Sequence, residues 1–244
     1  MELLGMLLQV FVFGMISYLA CTYVHEGGHV IMGLLQKWKF YYMTFGPFRI
    51  YREEKDDRVK FGMEKDLLYW GGVGLTIPRE QSEKNIQAYA RILLAGPVAS
   101  VLWGIGWGIT LCFHFSLFQA MMAGMSVSMG IACLIPNAKT GFLYTDGGRF
   151  LRIVRGGKTL AEEKAILEAA ILKTIDPEGR YDEKGIETMT ASEDVSFRYM
   201  GHYYGYLNAK KDQRKEEMEA RIGQMKLLEA KVPKTIQDTC PLEG

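Results

Sequence analysis

The chain has 244 residues, with 29 Lys and Arg against 28 Asp and Glu, a formal net charge of +1. This balance lacks the basic surplus typical of nucleic-acid-binding proteins, so no nucleic-acid partner is expected. Four widely spaced cysteines with no CxxC pair argue against a disulfide framework and against a cysteine-rich zinc site. The mean hydropathy of −0.02 resembles that of a soluble protein, but it averages very apolar segments with a charged tail.

Three apolar segments are long enough to span a bilayer, for which about 20 residues are needed. The first covers residues 3–24 without a charge and continues to Leu35, and the others cover 92–115 and 117–136. A cleaved signal peptide is the alternative for the first segment. It fits poorly, because the N-terminus carries Glu2 without Lys or Arg and the apolar run is too long. The sequence therefore predicts a mainly α-helical, polytopic membrane protein with three core transmembrane helices.

The distribution of Lys and Arg predicts the orientation of these segments. Eleven basic residues lie between 36 and 91, none lies in the turn at 114–116, and basic residues return after the third segment from Lys139 onward. We therefore expect a cytoplasmic 36–91 loop, a cytoplasmic C-terminal region and an N-terminus outside.

The motif HEGGH occupies residues 25–29, inside the first apolar segment. Two histidines four residues apart share one helix face, so the imidazoles of His25 and His29 can bind one metal ion. Zinc accepts nitrogen ligands and leaves one position open in a catalytic site. Glu26 can then act as general base toward a water that the metal activates. The alternative is a pair of surface histidines beside a solvated glutamate, but an apolar segment offers little water to solvate Glu26.

A third metal ligand must come from elsewhere, and Asp146 in FLYTDGGRF is our candidate. It is the only acidic residue among the 78 positions between Glu83 and Glu162, and the predicted topology places it on the same side as the histidines. A carboxylate suits zinc beside two imidazoles. Asp-Gly-Gly is also a common turn sequence, which is compatible with ligation. Cys21, four residues before His25, is a further candidate, although a buried free thiol is commoner. Carboxylates of the first loop are the remaining alternatives: Glu53, Glu54, Asp56, Asp57, Glu64 and Asp66.

The region between the first and second segments is rich in aromatic and β-branched residues interrupted by glycine. The sequences KFYYMTFGPFRIYRE and LLYWGGVGLTI predict short strands and turns. Such strands can pair with an extended peptide substrate. The equally weighted alternative is an interfacial anchor, since Trp38, Tyr41, Tyr42 and Trp70 suit the headgroup zone.

Residues 156–244 have a different composition, with charged helical patterns such as TLAEEKAILEAAILKTI. They predict several amphipathic helices packed as a small cytosolic helical domain, with the aromatic cluster FRYMGHYYGYL in its core. We therefore divide the chain into a membrane-embedded core at 1–155 and a cytosolic helical domain at 156–244. The helical domain is a candidate site for a protein partner, although no repeat period is clear.

Three motifs in order resemble the site-2 protease family of intramembrane zinc metallopeptidases: HEGGH in the first segment, LLAGPVAS opening the second and TDGGR after the third. The resemblance covers residues 1–155, and Gly28 before the second histidine is typical of that family. It implies a zinc-dependent intramembrane endopeptidase that cleaves membrane proteins or peptides in or near the lipid bilayer.

Carried over residue by residue, the resemblance implies His25, His29 and Asp146 as Zn²⁺ ligands and Glu26 as general base. The chain departs from the family's pattern at two places. Relatives commonly have a proline-rich stretch with an asparagine before the aspartate, of which LIPNAKTGFLYTDGG keeps Pro136 and Asn137. Asn137 is thus the candidate for oxyanion stabilisation or substrate positioning.

Many relatives also carry an asparagine soon after the Gly-Pro of the second helix, where this chain has Ser100.

Two other functions stay open from the sequence. One is a membrane scaffold or regulator that binds zinc, cleaves nothing and acts through its cytosolic helices. The other is a membrane-anchored zinc peptidase that uses a loop glutamate as its third ligand.

Overall fold

The structure, a computed structural model, describes residues 2–53, 56–80, 82–136, 139–140 and 143–241. The chain is mainly helical and contains a small four-stranded sheet. The helices are α1 (Glu2–Leu35), α2 (Asn85–Leu111), α3 (Leu117–Leu134), α4 (Asp146–Arg155), α5 (Gly157–Ile175), α6 (Glu183–Thr190), α7 (Val195–Lys211), α8 (Lys215–Glu229) and α9 (Lys234–Thr239). The strands are β1 (Lys39–Phe45), β2 (Phe48–Arg52), β3 (Val59–Met63), β4 (Val73–Ile77), β5 (Lys139–Thr140) and β6 (Leu143–Tyr144), and a 3-10 turn covers Leu67–Gly71.

Helices α1, α2 and α3 are long and apolar enough to cross a membrane. Their existence agrees with the three predicted segments, but the bounds of the second differ. Helix α2 begins at Asn85 rather than Ile92 and ends at Leu111 rather than Phe115. The prediction followed the absence of charge, whereas the helix also includes the polar turn before the apolar run.

Small residues allow these three helices to approach one another closely. A Cβ atom on Gly28 of α1 would lie 2.6 Å from the carbonyl oxygen of Ala95 in α2. A Cβ atom on Gly130 of α3 would lie 2.7 Å from the carbonyl oxygen of Pro97 in α2. Since glycine supplies no Cβ at either position, the helix backbones can pack at short range, as is common between membrane helices.

The predicted β element between the first two apolar helices is a four-stranded antiparallel sheet with the order β3-β2-β1-β4. Gly46 and Pro47 form the tight turn between β1 and β2, where Phe45 pairs with Phe48. Val30 of α1 shares a buried cluster with Phe40 and Met43 of β1, so the sheet packs on α1. The order leaves β4 as an edge strand beside that helix.

The chain divides into two compact units. The first comprises Met1–Pro136 and Thr145–Phe150, and the second comprises Asn137–Tyr144 and Leu151–Gly244. The predicted domain boundary at 155 lies close to the change of unit after Phe150, which falls within α4.

The second unit has a core of buried side chains from its helices. The aromatic residues of α7 lie in that core, as the sequence predicted: Phe197, Tyr199, Tyr203, Tyr204 and Tyr206. At its edge, Arg152 donates hydrogen bonds to Glu163, at 2.7 Å from Nε to Oε1, and to Glu162, at 2.5 Å from Nη2 to Oε2. Its guanidinium carbon also lies 4.8 Å from the ring centroid of Phe197.

Replacing Arg152 should destabilise the second unit strongly. Its side chain is 12% exposed and those of Glu162 and Glu163 are 5% and 0% exposed, so water cannot replace the lost ion pairs. We expect Arg152→Met to lower the free energy of unfolding by about 3–5 kcal/mol. The full chain is unfolded in denaturant, and protease cleavage of the second unit reports the unfolded fraction. The matched control is Arg180→Gln, because the Arg180 side chain is 54% exposed in its pairs with Glu183 and Asp212 and should matter little. Equal losses in the two variants would contradict this prediction.

Candidate metal centre

Three predicted ligand side chains converge in the first unit. The Nε2 atoms of His25 and His29 lie 3.3 Å apart. Oδ2 of Asp146 lies 3.3 Å from Nε2 of His25 and 3.4 Å from Nε2 of His29. These three atoms form an almost equilateral triangle, although Asp146 is 121 residues from His25 in the chain. Among the described residues, this is the group of His, Cys, Asp and Glu side chains whose geometry could hold a metal ion.

The dimensions of this triangle fit zinc. Zinc–nitrogen and zinc–oxygen bonds of about 2.0–2.1 Å in a tetrahedron separate neighbouring ligand atoms by about 3.3–3.4 Å. The three atom pairs match that separation. Two imidazoles and one carboxylate also form a donor set used by catalytic zinc sites, with the fourth position left for water or substrate. The residues present therefore fit a zinc ion.

His29 is oriented by the backbone of α2. Its Nδ1–H donates to the carbonyl oxygen of Ile92 at 2.7 Å. A carbonyl oxygen can only accept, so Nδ1 carries a proton and Nε2, which faces the triangle, is the nitrogen left to bind a metal ion. Gly96, one turn further along α2, packs directly against the imidazole, where a Cβ atom would collide with the ring.

His25 is oriented by a hydroxyl instead. Its Nδ1 lies 2.9 Å from Oγ of Ser100, which is fully buried. Ser126 of α3 donates a hydrogen bond to the carbonyl oxygen of Ser100 at 2.8 Å and so fixes the backbone behind that hydroxyl. Both histidines thus direct Nε2 toward Asp146 because a partner on α2 holds the opposite ring nitrogen.

Asp146 is the first residue of α4, and three contacts fix that end of the helix. The hydroxyl of Thr145 accepts a hydrogen bond from the N–H of Gly148 at 3.3 Å, as at a capped helix N-terminus, and donates to the carbonyl oxygen of Ile135 at 2.6 Å. One turn after Asp146, the guanidinium carbon of Arg149 lies 5.0 Å from the ring centroid of Tyr89 in α2. The helix start is therefore held against the ends of α2 and α3.

The electrostatics of Asp146 favour a cation in the triangle. Burial raises the pKa of its carboxyl group, but hydrogen bonds with His25 and His29 and the charges of these residues lower it more. The net pKa lies below the ordinary range of aspartate, so the group is ionised at neutral pH. A largely buried carboxylate needs a positive partner, and a metal ion bound by the two imidazoles would take over that role from them.

Glu26 lies beside the triangle without being part of it. Its side chain is buried and close enough to interact electrostatically with His25, His29 and Asp146. The backbone N–H of Gly74 in β4 donates a hydrogen bond to its carboxylate. Gly72, with φ of +105°, lets the chain turn into β4 next to this carboxylate; a Cβ atom there would lie 2.5 Å from Oε1 of Glu26. A carboxylate fixed beside a metal site can accept a proton from water.

The structure places the other sequence candidates outside the triangle or outside the described residues. Asn137 and Glu54 are not among the residues that the structure describes. Glu64 accepts a hydrogen bond from the hydroxyl of Tyr42 in β1, and Asp66 accepts one from the N–H of Leu68 at the start of the 3-10 turn. Cys21 is buried with its Sγ 3.8 Å from the carbonyl oxygen of Met122 in α3.

Sequence reasoning missed the groups that orient the ligands. Ser100 was noted only as a departure from a family pattern, and nothing in the sequence marked the carbonyl of Ile92 or the N–H of Gly74. A signal existed for α2, because Ile92, Gly96 and Ser100 recur every four residues and so share one helix face. That face lies along the histidines of α1.

Comparisons with protein-family models, with curated proteins and with solved structures found no match to this chain.

Replacing Ser100 should weaken metal binding while leaving all the proposed ligands in place. We expect Ser100→Ala to lower zinc affinity by about 10–100-fold, because the His25 ring loses its hydrogen-bond partner. Competition with a fluorescent zinc chelator measures this affinity. Ser17→Ala is the matched control, since Ser17 is also a fully buried serine, but its hydroxyl has no hydrogen-bond partner among the described residues. Unchanged zinc affinity in Ser100→Ala would show that this hydroxyl does not orient His25.

Proposed function

We propose that this protein is a zinc-dependent intramembrane endopeptidase that hydrolyses peptide bonds of membrane-associated substrates. The observation that carries the proposal is the triangle of two imidazole nitrogens and one carboxylate oxygen, with sides of 3.3, 3.3 and 3.4 Å, within a unit built on three apolar helices. The resemblance of HEGGH, LLAGPVAS and TDGGR to site-2 proteases supports the same function.

The chemistry assigns a separate task to each side chain. His25, His29 and Asp146 would hold zinc, which supplies Lewis acidity that activates water for attack on a carbonyl. Glu26 takes the proton from that water and can return it to the leaving amine nitrogen. The hydrogen bond from Gly74 keeps the Glu26 carboxylate in place for both transfers.

The sheet supplies a way to hold a substrate. Strand β4 pairs with β1, where Gly74 lies opposite Met43. The N–H of Gly74 donates to the carboxylate of Glu26. An extended peptide that paired with the sheet near Gly74 would lie beside Glu26 and the proposed zinc ligands. Main-chain pairing would also select unwound peptide over transmembrane helix, since an intact helix has no free backbone groups to offer.

The proposed orientation follows from the positive-inside rule. With the 36–91 loop and the C-terminal region in the cytoplasm, the histidines lie in the cytoplasmic half of α1 and Asp146 follows α3 on the same side. Cleavage would then occur near the cytoplasmic face of the bilayer.

The test combines zinc content with proteolysis. The full-length protein, purified in detergent, should contain one equivalent of zinc by elemental analysis. Candidate substrates are membrane proteins that accumulate in cells carrying an inactive variant, and the purified protein should cleave them. Cleavage should stop when zinc is removed and resume when zinc is added back. Stoichiometric zinc without accumulation or cleavage of any membrane protein would instead support the scaffold function.

A further inference from the structure

A second cluster of polar groups lies in the second unit, on α7 and α8. Arg198, His202 and Gly205 follow one another at spacings of four and three residues, so they share one face of α7. Arg221 of α8 lies over Gly205: a Cβ atom on that glycine would be 2.8 Å from Nε and 2.9 Å from Cζ of Arg221. The missing side chain of Gly205 therefore makes room for a guanidinium group against α7.

Two nitrogen atoms of this cluster are buried without a partner. Nε of Arg198 and Nδ1 of His202 are shielded from solvent and have no hydrogen-bond partner within the described part of the chain. A buried polar nitrogen without a hydrogen bond is energetically unfavourable, so such groups usually mark the place of a water molecule, ion or ligand.

The local charge indicates the sign of the missing partner. Burial and the positive charges of Arg221 and Arg198 lower the pKa of His202, which shows that both guanidinium groups act on this imidazole. Glu217 contacts Arg221 at 3.2 Å from Oε1 to Nη2, but it is shared with Arg214. The face of α7 toward Arg221 thus carries two guanidinium groups and an imidazole, and this excess of positive charge suits a negatively charged partner.

We propose that Arg198, His202 and Arg221 form a binding site for a phosphate group. Guanidinium groups recognise phosphate through paired N–H donors. Donors on two helices can contact different oxygens of a tetrahedral phosphate group. The neutral imidazole of His202 supplies a further N–H donor. The phosphate comes either from free phosphate or from a phospholipid headgroup, both of which present the same oxygens.

Calorimetric titration of the full-length protein in detergent tests this site. Inorganic phosphate should bind saturably at constant ionic strength, and Arg198→Met should weaken binding at least tenfold. Gly205→Ala retains every charge but displaces the arm of Arg221, so it should also weaken phosphate binding. Lys231→Met, at an exposed position in the same unit, should bind phosphate as the wild type does.

Parallel titrations identify the source of the phosphate and measure the specificity of the site. Tighter binding of dihexanoyl phosphatidic acid than of inorganic phosphate, again dependent on Arg198, would assign the site to a phospholipid headgroup; the reverse order would assign it to free phosphate. Equal affinity for acetate, no binding of either phosphate probe, or binding that Arg198→Met leaves unchanged would each overturn the proposal. In phosphate-free buffer, Arg198→Met should unfold at the same or a higher temperature than the wild type, so weakened binding cannot be ascribed to unfolding.

Discussion

Glu26→Gln should leave zinc bound and reduce peptide-bond cleavage by about 10²–10⁴-fold, the usual contribution of a general base. The amide of glutamine has nearly the same shape as the carboxylate, so the fold around Gly72 and Gly74 should accept it. It cannot accept a proton from water at neutral pH. We therefore expect Glu26→Gln to keep the wild-type zinc content, measured by elemental analysis. The same variant should lose cleavage of a membrane-anchored substrate.

The matched control for this prediction is Glu64→Gln. Glu64 is also a buried glutamate of the first unit, at 8% exposure like Glu26, but it accepts its hydrogen bond from Tyr42. Its replacement should leave cleavage within a few-fold of the wild type. Full proteolytic activity of Glu26→Gln would refute the assigned role of Glu26, and activity lost equally in both variants would point to damage to the fold.

Asp146→Ala should remove stable zinc binding. The loss of zinc affinity should be well above the factor of about 10–100 that is typical when only the hydrogen-bond partner of a ligand is removed. The substitution removes one corner of the triangle and leaves two imidazoles, which bind zinc more weakly than a complete set of three ligands. Helix α4 should still form, because Thr145 and Arg149 hold its start through contacts that do not involve Asp146. Chelator competition measures the affinity, and circular dichroism checks that the helices persist.

Two loop carboxylates serve as controls for Asp146→Ala. Asp66→Ala removes a side chain that accepts a hydrogen bond from Leu68 in the 3-10 turn, and it should not change zinc affinity. Glu54→Ala tests the alternative in which a loop glutamate completes the site. If Glu54→Ala loses zinc and Asp146→Ala retains it, then Glu54, and not Asp146, is the third ligand.

Much of the fold follows from local patterns in the sequence. The apolar runs predicted α1 and α3 closely, because the absence of charge over about 20 residues is a strong signal. The aromatic and glycine-rich stretches predicted strands, but not the order β3-β2-β1-β4. The pairing of β4 with β1 joins strands that are separated in the chain by β2 and β3, and no local pattern records such a contact. The polar start of α2 at Asn85 was missed for the related reason that hydropathy marks apolar spans rather than helices.

The candidate site was predictable only for side chains with distinctive chemistry. His25, His29 and Glu26 form a motif, and Asp146 is conspicuous as an isolated acidic residue in an apolar region. The carbonyl of Ile92 and the N–H of Gly74 belong to groups that every residue carries, so sequence cannot single them out. Ser100 is intermediate, because its hydroxyl is informative only once the face of α2 opposite His25 is known.

The two histidines differ in how they are held, and this asymmetry has a practical consequence. The backbone carbonyl of Ile92 holds His29, and no side-chain replacement removes that group. A single hydroxyl holds His25, so one point mutation can change its support without touching a ligand. The residue at position 100 should therefore influence how strongly the proposed site binds a metal ion. A graded series of residues at position 100 should give a graded series of metal affinities in the proposed zinc site, with every proposed ligand unchanged.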